Sequence, residues 1–172
     1  MADADASESP MRAGGRATEA GMDFQAEVGT WLAAHLLSRI SVGGRFGLPN
    51  MALPTAIQFE TGDGLDDIRL DQDDASRIDL QTKTSAGLAK SPKSPLGKTV
   101  SQLVRLMIDA RDAGTTLDPA KVRAVLAVAA DAPRTLDALE RGCRAFDLGG
   151  DWATTKAGRS KAERDALDLF EA

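Results

Sequence analysis

The chain has 172 residues, 42% hydrophobic and only 4% aromatic with no tyrosine, and its net charge is −5. That length suits one domain, or one domain with a tail. The acidic balance excludes a generally basic nucleic-acid binder, so any such contact must come from a local patch, and the scarcity of aromatics argues against base stacking as the binding mode.

The opening MADADASESP is acidic and has no apolar run, so no signal peptide is expected. Residues 1–18 are small, charged and Gly-containing and read as a disordered tail. Residues 19–150 are then the main domain, and residues 151–172 a C-terminal helical segment. From Gly21 to Ile40 a helix is expected: Phe24, Val28, Leu32, Leu36 and Ile40 recur every four residues, and Trp31 and Leu37 widen the stripe. Gln25, Glu27 and His35 are its polar members. The only histidine, His35, reads as a packed or surface residue rather than a ligand. SVGGRFGLPN at 41–50 is a loop.

Leu53–Glu60 reads as a strand. Two further short strands follow, one opening on Asp66-Asp67-Ile68 and one running Ile78-Asp79-Leu80-Gln81-Thr82-Lys83, with a polar turn between them. Alternation puts Ile78 and Leu80 on one face, and Asp79, Gln81 and Lys83 on the other. If the strands pair, a carboxylate of the first lies beside an amide oxygen and an ammonium of the second. Oxygen donors next to a lysine suit Mg²⁺ and a phosphodiester. The plain alternatives are that Asp66 and Asp67 are turn residues and that Lys83 guards an edge strand.

SAGLAKSPKSPLGK at 85–98 reads as a loop, and its lysines Lys90, Lys93 and Lys98, with Arg105 beyond, are candidates for a local patch tracking a phosphate backbone. The LGKT run there is not a phosphate-binding loop, because Pro92 stands where the pattern needs glycine and no strand precedes it. Thr99–Ala113 is expected as a helix with Val100, Leu103, Val104, Met107 and Ile108 inward, ended by Gly114. The short apolar run Val122–Ala129 suits a strand buried on both faces. A helix from Asp131 and Pro133 to about Phe146 and a last one over 159–171 complete the chain. The lone Cys143 excludes an intrachain disulfide or a cysteine zinc cage, reads as an inert buried residue, and fits a reducing cytoplasm. No stretch approaches the roughly 18 apolar residues of a membrane helix. The order helix, three strands, helix, strand, helix gives an α/β sandwich around a central mixed sheet.

That order, with an acid opening strand two and a lysine closing strand three, resembles the PD-(D/E)XK, restriction-endonuclease-like fold. The residues that carry the resemblance are Gly21-Met22-Asp23-Phe24-Gln25, Glu60, Asp66-Asp67-Ile68 and Gln81-Thr82-Lys83, within residues 21–130. The chain is similar in particular to the double-stranded DNA nuclease domains at the N-terminus of bacterial antiphage effectors, among them CBASS effectors and STAND-type NTPases. The resemblance implies an α/β/α sandwich and a DNA endonuclease using Mg²⁺, or Mn²⁺ in its place. It implies Asp67 as the metal-binding acid, Gln81 in place of the usual second acid, Lys83 as the lysine, Gln25 bordering the site and Glu60 at a strand edge. Asp66 remains the alternative to Asp67, because a one-residue shift of register exchanges the two faces. A glutamine at the second acid makes the metal set weaker, and Asp79 and Glu27 are further candidates to assist it. Such domains work joined to a sensor or in assemblies, which implies a homo-oligomer or a separate regulatory partner. The competing reading is a non-catalytic adaptor that keeps the fold to bind DNA or protein.

Overall fold

Alternation of apolar and polar residues from Ile68 onward folds the middle of the chain into a hairpin, and the rest of the sheet is added to it. The computed structural model describes residues 10–49, 51–62, 65, 67–87, 89, 91–129, 134–146 and 151–171. Their elements are α1 (Pro10–Ser38), a 3₁₀ turn (Gly43–Phe46), β1 (Pro54–Phe59), β2 (Ile68–Gln72), β3 (Arg77–Lys83), α2 (Pro95–Asp112), β4 (Val122–Val128), α3 (Arg134–Phe146), α4 (Trp152–Ala157) and α5 (Lys161–Glu171). The protein is thus mixed α/β. The sheet order is β1-β2-β3-β4. β1–β2 and β2–β3 are antiparallel, and β3–β4 is parallel, with α2 in the crossover.

Ile68 stands opposite Leu80, and Leu70 opposite Ile78. These four side chains are fully buried with Leu32 of α1, Val42 and Leu48, and Val28, Trp31, Phe46, Ile57 and Val125 pack around them. This cluster lies on the α1 face of the sheet. Burial of these seven aliphatic side chains is worth about 1.5–3 kcal/mol each. Leu126 has the opposite parity to Val125 and joins a second cluster of Leu96, Val100, Ala138, Leu139, Ala166 and Leu167, which links α2, α3 and α5. Helices therefore meet the sheet from both faces.

Local chemistry sets the boundaries. Between β2 and β3, the Asp74 carboxylate accepts the Ser76 backbone N–H at 2.9 Å, and Ala75 turns the chain at φ 62°. At the start of α2 the Ser94 hydroxyl accepts the Gly97 N–H at 3.0 Å, with Pro95 in the first helical turn. A Cβ on Gly97 would lie 2.5 Å from the Ser91 carbonyl oxygen, so the glycine of the LGKT run serves close packing of the helix start.

Several expectations are corrected. α1 begins at Pro10, inside the stretch read as a tail, and residues 1–9 lie outside the described set. Its stripe buries Leu32, whereas Leu37 and Ile40 point outward. α2 begins four residues before Thr99, because Ser94-Pro95 is itself a helix start. Val104, Met107 and Ile108 are exposed, not inward. β4 is the last strand of the sheet among the described residues, and its seven residues are half-buried rather than buried, although side chains on both of its faces are packed. Its apolar run reflects packing at Val125 and Leu126 on opposite faces, with no described strand on its outer side. No helix among the described residues is long and apolar enough to cross a membrane.

Candidate functional site

β1 ends, β2 begins and β3 and β4 end at the same edge of the sheet. Asp67 immediately precedes β2 there. The last β2–β3 pair is Ile68 with Leu80, so one step further puts Asp67 across from Gln81. Asp67 Oδ2 accepts the Thr82 backbone N–H at 2.7 Å and the Thr82 hydroxyl at 2.8 Å. Its carboxylate thus ends the ladder where a backbone carbonyl would otherwise stand. Lys83 Nζ lies 3.7 Å from the same oxygen, and both side chains are partly exposed. In such a setting the ion pair adds little stability, about 0–1 kcal/mol. It does hold an ammonium beside a fixed carboxylate.

Two other expected residues converge on the same point through its backbone. Gln25 Nε2, from α1, donates to the Asp67 carbonyl at 3.0 Å. The Glu60 N–H donates to that carbonyl at 3.3 Å. Glu60 itself sits one residue past β1 at φ 50°, a left-handed conformation uncommon outside glycine, and its side chain is exposed. Gln25, Glu60, Asp67 and Lys83 are therefore brought together. Asp66 lies outside the described residues.

Gln81 is 2% exposed, and its buried Oε1 has no hydrogen-bond partner among the described residues. A buried acceptor left unpaired is costly, and native structures hold few of them. A divalent cation needs oxygens of this kind. Asp67 Oδ1, in a partly exposed side chain at this end of the sheet, accepts no bond from a described residue. The set is sparse for a metal: the Asp67 side chain is partly exposed, the Gln81 oxygen is enclosed, and no group of three or more His, Cys, Asp or Glu side chains is close enough to hold one among the described residues.

The other candidates behave differently. Asp79, fully buried, is held by Arg69 Nε at 2.8 Å and Arg77 Nε at 3.1 Å, so it is not available to assist a metal. Glu27 is exposed on α1. Lys93 and Lys98 are exposed, before and at the start of α2, while Lys90 lies outside the described residues. Arg105 is ten residues into α2, about 15 Å along its axis, and stands 3.9 Å from Asp109. Lys98 stands two turns before it on the same side of the helix. His35 Nδ1 bonds the Trp31 carbonyl at 2.9 Å and its ring packs on Trp31, a structural arrangement. Cys143 is half-buried and lines an apolar cavity of about 600 Å³ with Leu96, Val100, Leu103, Leu126 and Leu136, a hollow between α2, α3 and β4 that Gln81 does not line.

Sequence reasoning missed Thr82 and the two arginines. Thr82 reads as a spacer between Gln81 and Lys83, yet its N–H and hydroxyl fix Asp67. Arg69 opposite Asp79 was visible as an opposite-charge cross-strand pair once the hairpin register was drawn. Comparison of the chain with family models, curated proteins and solved structures finds no match. The functional reading rests on the residues at this edge of the sheet.

Proposed function

We propose that this is a metal-dependent nuclease domain that hydrolyses phosphodiester bonds of double-stranded DNA, built on a restriction-endonuclease-like fold and serving as a defence effector module. The observation that carries the reading is the fixed Asp67 carboxylate 3.7 Å from the Lys83 ammonium, on the same strand end as the orphaned Gln81 oxygen. Asp67 and Gln81 would hold Mg²⁺, which supplies polarisation of a phosphate and a more acidic bound water. Lys83 would offset charge gathering on the non-bridging phosphate oxygens. Thr82 keeps the Asp67 carboxylate in one rotamer, and Gln25 and Glu60 keep its backbone in place, so the acid is preorganised before substrate arrives. Lys93 and Lys98, both exposed, would contact the backbone without reading sequence.

One observation favours a second reading, a binding module without catalysis. Asp67 Oδ2 already serves as the cap of β3, a role that needs no metal. Cleavage of supercoiled plasmid with Mg²⁺, with and without EDTA, separates the two. The nuclease reading expects metal-dependent nicking that is lost in Lys83→Ala and in Asp67→Asn. Asparagine keeps an oxygen to accept from Thr82, so the Asp67 variant tests the charge rather than the fold. Wild-type protein that binds duplex DNA but never cleaves it, at any protein concentration or with Mn²⁺, supports the binding module.

A further inference from the structure

One aromatic ring stands at the rim of the candidate site and outside both apolar clusters. Phe59, the last residue of β1, is 52% exposed. A single exposed apolar residue is ordinary on a protein surface. What singles this one out is where it is held.

Phe59 pairs with Ile68, the residue after Asp67. α1 reaches both places from successive turns. Gln25 donates to the Asp67 carbonyl, and Gly29, four residues on and buried, meets the Phe59 ring. Those two positions are about 6 Å apart along the helix. A Cβ on Gly29 would lie 2.7 Å from Cζ and 2.8 Å from Cε1 of the ring, so the glycine opens a seat for one ring edge against the helix. Directly after Phe59 the chain turns at Glu60, φ 50°, whose N–H donates to the same Asp67 carbonyl. The half-open ring is thus tied to the acid from both sides.

That separation is within the reach of one nucleotide. A phosphate beside Asp67 and Lys83 carries its base through a single sugar, which brings the base to Phe59. A paired base inside a duplex has its faces covered by its neighbours, so a ring stacks only on a base that leaves the helix. Leaving costs least where the base is already unpaired. The scarcity of aromatics argues against a platform for a long strand, but one ring serves one base.

We propose that Phe59 is a specificity-determining residue that stacks on one unpaired base beside the bond to be cut. The preferred substrate is then duplex DNA with a bulged or frayed nucleotide. This rests on the nuclease reading of Asp67 and Lys83.

Fluorescence anisotropy of the full chain tests it, in EDTA and again in Ca²⁺, with a paired duplex and the same duplex carrying a single bulged aminopurine. Wild type is expected to bind the bulged duplex about five- to tenfold more tightly and to quench the aminopurine. Phe59→Leu, which keeps apolar bulk without a ring, is expected to bind both duplexes alike, with unchanged circular dichroism. Phe59→Trp should keep the preference. Gly29→Ala, which pushes the ring off its seat, should lower it. Equal affinity of wild type for the two duplexes, or a Phe59→Leu protein that keeps the preference and the quenching, overturns the proposal. If plasmid is nicked while the two duplexes bind equally, only the role of Phe59 falls. If neither duplex is bound and plasmid stays intact, the nuclease reading falls with it.

Discussion

Gln81 gives the sharpest test of what this edge of the sheet is for. The side chain is 2% exposed, and its Oε1 has no partner among the described residues. Leaving a buried acceptor unpaired costs about 1–3 kcal/mol, whereas replacing it by an apolar group of similar shape removes that cost. Methionine has nearly the same length and adapts to irregular spaces. Gln81→Met is therefore expected to stabilise the metal-free protein by about 1–2 kcal/mol, which raises Tm by roughly 2–8 °C for a chain of this size. The same change removes a donor for the cation. In wild type, Mg²⁺ at ten times its Kd should add about 1.4 kcal/mol to stability, and in Gln81→Met it should add none. Urea titrations in EDTA and in Mg²⁺, for both proteins, measure all four quantities. A Gln81→Met protein that loses more than about 1 kcal/mol in EDTA would mean the amide is satisfied and structural. An equal Mg²⁺ response in both proteins would remove Gln81 from the donor set.

Other expectations follow from the packing and the charges. Asp79→Ala removes the buried carboxylate that Arg69 and Arg77 share and is expected to cost about 2–4 kcal/mol in urea unfolding, less than a wholly enclosed pair because Arg77 is partly exposed. Gly97→Ala drives a methyl into the Ser91–Pro92 backbone and should cost about 1–3 kcal/mol. Gly29→Ala meets only the half-exposed Phe59 ring, which can swing aside, so stability should be unchanged or rise by up to about 1 kcal/mol; thermal melts of the two variants side by side check the contrast. The Ser76 hydroxyl and N–H, then Lys121, hold the Asp74 carboxyl well below its ordinary value. A depressed folded pKa gives stability that is present above the unfolded pKa and lost as pH falls through the folded one. Asp74→Asn should therefore be less stable than wild type at neutral pH, with the gap closing as a pH series is taken below the usual carboxylate range.

The hairpin was legible because a period of two decides both pairing and face. Once Ile68, Leu70, Ile78 and Leu80 are assigned to the core, Asp67, Gln81 and Lys83 follow at its rim. Only the resemblance set Gln25 beside the site, and its bond to the Asp67 carbonyl was not foreseen, since helix periodicity alone does not say which strand end a polar residue reaches. The edge position of β4 was not legible: an apolar run signals burial at some positions but carries no information on whether a further strand lies outside it. The outward turn of Val104, Met107 and Ile108 was hidden for a related reason. Their spacing is that of an inward face, and only the placement of Leu96, Thr99 and Leu106 shows which apolar face the sheet uses. The α1 start at Pro10 has no apolar stripe to announce it.

The hairpin also bears on the order in which the molecule takes shape. Only residues 73–76 separate β2 from β3, whereas the parallel partner β4 returns after residues 84–121. Closing the short turn restricts few residues, and closing the long crossover restricts many. Asp67, Thr82 and Lys83 are thus joined by contacts of low sequence separation. The rim of the sheet should be assembled early, with β4 and the α2–α3–α5 layer docking later onto a β2–β3 pair already in register. Substitutions in that pair, such as Ile78→Val, are then expected to slow refolding, while Val125→Ala should chiefly hasten unfolding.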